Sequence, residues 1–190
     1  MKKIFLSMMG LVLLSGCSAT TAGPEVRTKE ELKYKKILVM PFTKGEGADA
    51  SLAQGTFINE LSLFPDIEIV GNGQMDETTI KNLGVTHPDT FGPVDFSVTP
   101  QGDERRQKVL ESFKADVLVF GYIYMEQGLA SLHIQMLEGQ SGDMILNFFK
   151  ESSIPEGMAA ETTRDIARKA VPKVIDFLKE NVVITKFHRR

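Results

Sequence analysis

Val117-Leu118-Val119-Phe120-Gly121-Tyr122-Ile123-Tyr124 decides the fold. The run is rich in β-branched and aromatic residues and reads as the strongest strand of the chain. Before it, Asp103 to Lys114 carries a helical pattern with Val109, Leu110 and Phe113 inward. After it come two more strands, Ser131 to Leu137 and Met144 to Phe149. Gly139-Gln140-Ser141-Gly142-Asp143 joins those two as a hairpin turn.

Upstream, Ile37-Leu38-Val39-Met40 is a continuous apolar run capped by Pro41, suited to a strand buried on both faces of a parallel sheet. A helix follows from about Ala50 to Phe64, with Leu52, Phe57, Ile58, Leu61 and Phe64 on one side. Ile67-Glu68-Ile69-Val70 alternates as a second strand and stops at Gly71-Asn72-Gly73. The last helix spans about Met158 to Leu178, and Ile166, Ala167, Ala170, Val171, Val174, Ile175 and Leu178 keep its period. Pro172 lies inside that helix and is expected to kink it. The order β-α-β-α-β-β-β-α predicts an α/β fold. Its mixed sheet has about five strands, with a parallel core and an antiparallel hairpin extension.

Residues 74–102 form the longest irregular stretch. A short helix near Asp76 to Leu83 gives way to His87-Pro88, Gly92-Pro93 and Thr99-Pro100. Loops of this length are often functional. Phe91, Val94 and Phe96 are the candidate partner-contact residues within it, as apolar residues in a loop.

The amino terminus has a different character. Met1-Lys2-Lys3 precedes an apolar run from Ile4 to Leu14, then Ser15-Gly16-Cys17. Basic residues, a short apolar stretch and small residues are the layout of a secretory signal peptide. The apolar run is shorter than the ~20 residues a membrane-spanning helix needs. Leu14-Ser15-Gly16-Cys17 resembles a bacterial lipobox, which makes Cys17 the lipidated first residue of a mature chain of about 174 residues. Cys17 is the single cysteine, so the fold uses no disulfide. Four parts follow: signal peptide 1–16, lipidated cysteine and tether 17–36, α/β domain 37–180, and basic tail 181–190. The tether is polar and short, with a span of ~25 Å as a flexible coil. A triacylated cysteine holds a protein on a membrane, because stable anchoring takes two or more chains.

The formal charge of −3 becomes −5 once Lys2 and Lys3 are removed. No basic stripe is present, which argues against nucleic acid as a partner.

Catalytic and cofactor patterns are weak. Gly45-Glu46-Gly47-Ala48-Asp49-Ala50 fits G-x-G-x-x-A after a strand and before a helix. Glu46 and Asp49 would repel a pyrophosphate there, and Asp49 suits a helix cap better. Ser141 lies between two strands, not on a strand-to-helix elbow. His87, His133 and His188 have no companion at metal-ligand spacing, so no metal is expected. His133 alternates with Leu132 and Ile134 and belongs on the outer face of a strand. The loop carboxylates Glu46, Asp49, Asp76, Glu77, Asp89 and Asp95 form no recognisable pair. The expectation is a non-enzyme without cofactors. Val94 to Thr99 alternates like a membrane hairpin arm but is short and bracketed by prolines.

Ile37 to Phe42, Ala115 to Ile123 and the hairpin from Ser131 through Gly142-Asp143 carry a family resemblance. They resemble the α/β domain shared by curli-secretion lipoproteins of the CsgG type, LpoB-type activators of penicillin-binding proteins, and the N-terminal domain of TolB. The resemblance spans most of residues 37–180. It implies a cell-envelope accessory protein that binds a protein partner in assembly or secretion. A homo-oligomer stays open. Ser18, where the sorting rule of Gram-negative lipoproteins puts an aspartate for inner-membrane retention, implies the periplasmic side of the outer membrane. The alternative is a periplasmic ligand- or glycan-binding lipoprotein, which a deep apolar pocket with convergent polar groups would distinguish.

Overall fold

The computed structural model describes residues 26–71, 75, 77–85 and 91–188. The chain divides into a unit of Glu30–Ile184 and a small one of Met1–Lys29 with Thr185–Arg190. The stretch read from sequence as a signal peptide, and Cys17, lie outside the described residues.

The elements in chain order are β1 (Val26–Leu32), β2 (Lys36–Val39), β3 (Thr43–Lys44), α1 (Ala50–Leu61), β4 (Glu68–Val70) and α2 (Glu77–Asn82). A single 3-10 turn (Pro93–Phe96) precedes α3 (Pro100–Phe113). Then come β5 (Val117–Glu126), β6 (Leu129–Glu138), β7 (Met144–Ser153), α4 (Ala159–Glu180) and β8 (Val182–His188).

The main sheet has six strands in the order β4-β2-β5-β6-β7, with β3 also pairing β5. β2 runs parallel to β4 and to β5, and the β5-β6-β7 half is antiparallel. The α/β fold with a parallel core and a hairpin extension is therefore the one the sequence predicts. The extra strand is β3. β2 covers only Val117–Val119 of the ten-residue β5, so after Pro41 the chain returns and pairs Thr43 with Tyr122.

Two stretches read from sequence as tether and tail carry strands. β1 and β8 pair in a separate two-stranded sheet. The Val182-Val183-Ile184-Thr185 run is β-branched and suits a strand. Its partner lies some 150 residues away in sequence, so local composition cannot reveal the pairing.

Each face of the main sheet has its own core. On one face, Val117, Val119 and Ile123 of β5 and Leu132, Ile134 and Met136 of β6 pack against α1 and α4. Every residue that the sequence places on the apolar stripe of α4 is buried. Burial of each large one contributes about 1.5–3 kcal/mol. Pro172 sits on the exposed side of α4, which continues through it, so the lost ladder bond falls away from the core. On the other face, Leu118, Phe120 and Leu137 pack under α2, α3 and the 3-10 turn. Gly121 admits the Phe42 ring, because an added Cβ would lie 2.5 Å from three of its atoms.

The helix starts follow from their caps. Asp49 Oδ1 accepts from Leu52 N at 2.9 Å at the start of α1. Thr99 Oγ1 accepts from Gly102 N at 3.0 Å, with Pro100 in the first turn of α3. The end of α1 where a dinucleotide would dock is thus already occupied by a carboxylate.

Candidate binding face

Among the described residues, the second face of the sheet is only half covered. Side chains alternate along β5, so Leu118, Phe120, Tyr122 and Tyr124 share that face. The α2–α3 side covers Leu118 and Phe120 and stops there. Beyond it lie two rows set by the register: Tyr122–His133–Phe149 and Tyr124–Ser131–Glu151. A bordering row, Phe120–Gln135–Asn147, runs from the covered part into the open part.

Local contacts order this open half. The Tyr122 and Tyr124 rings lie 5.7 Å apart, and His133 meets Phe149 edge-on at 5.9 Å. His133 Nε2 is 2.6 Å from Asn147 Oδ1. Gln135 Nε2 reaches Met144 Sδ at 3.9 Å. Large apolar groups remain in solvent: Tyr122 is 41% exposed, Phe149 48% and Met144 48%.

The 3-10 turn walls this face. Two open recesses meet there, sharing Pro93 and Gln135. One, of about 210 Å³, is bounded by Thr43, Phe91, Tyr122 and His133. The other, of about 410 Å³, is bounded by Val94, Leu137, Gly142 and Met144. Both recesses are open to solvent rather than enclosed.

The candidate loop residues separate here. Phe91 and Phe96 are 4% and 0% exposed. Both rings pack on Phe120, at 6.2 and 5.4 Å, and on each other at 6.4 Å. They form the buried floor of the wall, and Phe91 also lines the smaller recess. Val94 is 73% exposed and, with Val98, crowns the same wall. The turn geometry divides them: four residues of 3-10 helix send Phe96 inward and Val94 outward.

Sequence reasoning missed Tyr122, Phe149 and Met144. The usable signal was the polar-aromatic side of the alternation: Ser131, His133 and Gln135 against Leu132, Ile134 and Met136.

Arg106 locks the wall to the hairpin. Its guanidinium is buried. Nη1 donates to Phe96 O at 2.8 Å, and Nη2 to Asp103 Oδ1 at 2.6 Å and Gln140 O at 3.3 Å. Gly142, at φ 76°, leaves room for it, since an added Cβ would collide with Nη1. Arg105 adds a second tie, from Nη2 to Gly84 O at 2.8 Å.

Glu138 fastens the other side of the turn. Its Oε1 pairs with Lys33 Nζ at 2.9 Å and accepts from Tyr34 OH at 2.8 Å. Its Oε2 accepts from Ser141 Oγ at 2.7 Å. Hydrogen bonds from Lys33, then Ser141 and Tyr34, hold the carboxyl down to about 2. The Lys33 ammonium is raised by its bonds to Tyr34 and Glu138. Ser141 thus serves turn chemistry.

Among the described residues, no cluster of three metal-ligating side chains occurs, and no helix is long and apolar enough to cross a membrane.

No family model and no curated protein matches the chain by sequence. Solved structures do. The hypothetical protein CT253 from Chlamydia trachomatis is similar at a TM-score of 0.52 and 9% identity, over 77% of this chain and 99% of that one. The LpoB C-terminal domain from Salmonella enterica is similar at 0.45 and 15% identity, over 65% and 84%. Lipoprotein GNA1162 from Neisseria meningitidis is similar at 0.47 and 16% identity, over 74% and 96%. At 9% identity, the likeness to CT253 is one of fold alone.

Proposed function

We propose that the chain is a lipid-anchored, non-enzymatic protein of the bacterial cell envelope that binds a protein partner through the open half of its sheet. The observation that carries this is the uncovered row Tyr122–His133–Phe149 beside Met144 and Val94. Protein interfaces are enriched in Tyr, Phe and Met and depleted in Lys and Glu at their centres, and this row has no lysine or arginine. The recesses along the 3-10 turn offer seats for apolar side chains of the partner.

Cys17 supplies the second half of the mechanism. Lipidation there confines the domain to a layer next to the membrane, and confinement raises the effective concentration for membrane-bound partners. Ser18 favours the periplasmic side of the outer membrane.

The test places a photo-crosslinking amino acid at Tyr122, at Phe149 and, as a control, at Lys173 on α4. Each is expressed with Cys17 intact or as Cys17→Ala. One discrete membrane-dependent adduct from Tyr122 and Phe149 alone supports the proposal. Adducts from Lys173 only, or equal labelling of the Cys17→Ala chain in the membrane fraction, would sink it.

A further inference from the structure

β7 closes one side of the main sheet and, among the described residues, pairs with β6 alone. It has ten residues, a length of about 33 Å. Its outer side carries a row of backbone N–H and C=O groups ready for another strand. A register shift falls near Met144, so the rest of the strand runs regularly to Ser153.

That regular part shows two different faces. Asn147, Phe149 and Glu151 oppose Gln135, His133 and Ser131, so they point onto the open face. Phe148, Lys150 and Ser152 oppose Ile134, Leu132 and Ala130 on the α4 side. Lys150 makes no ion pair among the described residues. Glu151 accepts one long bond, from Ser131 Oγ at 3.4 Å. Two adjacent opposite charges therefore stand on the sheet edge with their pairing capacity unused.

We infer that β7 receives an extended segment of a partner protein as an added antiparallel strand, reading basic, acidic, aromatic in that order. The basic residue faces Glu151, the carboxylate faces Lys150, and an aromatic or β-branched residue faces Phe149. Directly opposed pairs of these kinds stabilise a sheet, whereas like charges destabilise it. Such a strand lengthens the row Tyr122–His133–Phe149 by one side chain, so it is continuous with the proposed binding face and deepens that reading.

Charge excludes a second copy as the better occupant. Directly opposed residues in an antiparallel pair share a face. In a β7–β7 pair, Lys150 can then face only Phe148, Lys150 or Ser152 of the other copy. Glu151 can face only Asn147, Phe149, Glu151 or Ser153. No register answers either charge, and some oppose like charges.

The test uses a synthetic fluorescent octapeptide of alternating Thr and Val carrying the basic-acidic-aromatic triplet, titrated onto the full chain in detergent. Controls are the peptide with its two charges exchanged and one N-methylated at alternate backbone positions. Exchange should weaken binding about tenfold, from two pairs turned from attraction to repulsion. The variant K150E/E151K should reverse that preference, and N-methylation should abolish binding. Equal affinities for both charge orders, undiminished binding of the N-methylated peptide, or no binding at all would overturn strand addition. So would a chain dimer, seen by sedimentation, that the peptide dissociates. If the peptide fails while crosslinks from Tyr122 persist, only the strand mode falls, and the binding face stands.

Discussion

Gly142→Ala tests how the wall of the binding face is held. Gly142 sits at φ 76°, and an added methyl would run into Nη1 of Arg106. The left-handed backbone alone costs alanine about 1–2 kcal/mol. Arg106 cannot swing away freely, because it is buried and donates to Phe96 O, Asp103 Oδ1 and Gln140 O. Breaking one charged bond of that set costs about 1.5–3 kcal/mol. The sum is about 2.5–5 kcal/mol, or roughly 10 °C in Tm for a domain of this size. Thermal unfolding by circular dichroism reads the loss. A second background isolates the cause: with Arg106→Met, adding Gly142→Ala should cost only the backbone part, about 1–2 kcal/mol. A Tm drop that is equal in both backgrounds would refute the clamp, and a drop under about 2 °C would refute the clash.

Further outcomes follow from the same structure. Glu138 has a folded value of about 2 against an ordinary 4.5, so its stabilisation is complete above pH 4.5 and disappears as pH falls toward 2. With the Lys33 side chain half in solvent, the effect is about 1–2 kcal/mol after screening. Urea unfolding at pH 6 and pH 3 should show that loss in the native chain and little of it in Glu138→Gln; equal losses would contradict the network. Phe96→Ala should cost about 3–5 kcal/mol, because its ring is wholly buried against Phe91 and Phe120. Val94→Ala, at an exposed site, should change stability by no more than about 0.5 kcal/mol in the same assay.

Much of the fold was legible because its signals are local. The Val117–Tyr124 run, the 3.6-residue stripe of α4 and the glycine-bearing turn at 139–143 each declare themselves within a few residues. Asp49 as a helix cap was readable in the same way. What escaped depends on distant pairing. β3 exists because β5 outruns β2, and β1 exists because β8 is there to pair with it. The candidate loop residues fared unevenly for a related reason. Three apolar residues in a loop look alike in sequence, yet the aromatic floor formed with Phe120 takes Phe91 and Phe96 and leaves Val94 outside. Arg106 reads as one more charge on a helix until Gly142 and the carbonyls of Phe96 and Gln140 surround it. The open face itself was half visible: His133 reads as outward from its neighbours, but only the register brings Tyr122 and Phe149 to either side of it.

Charging the open face separates binding from folding. In the full lipid-anchored chain, Tyr122→Glu with Phe149→Asp alters two exposed rings that support no core cluster. Crosslinking in intact cells, through a photo-reactive residue at Val94, should lose its discrete adduct while Tm and membrane fractionation stay as in the parent chain. An adduct of undiminished yield from the doubly charged face would contradict partner binding there.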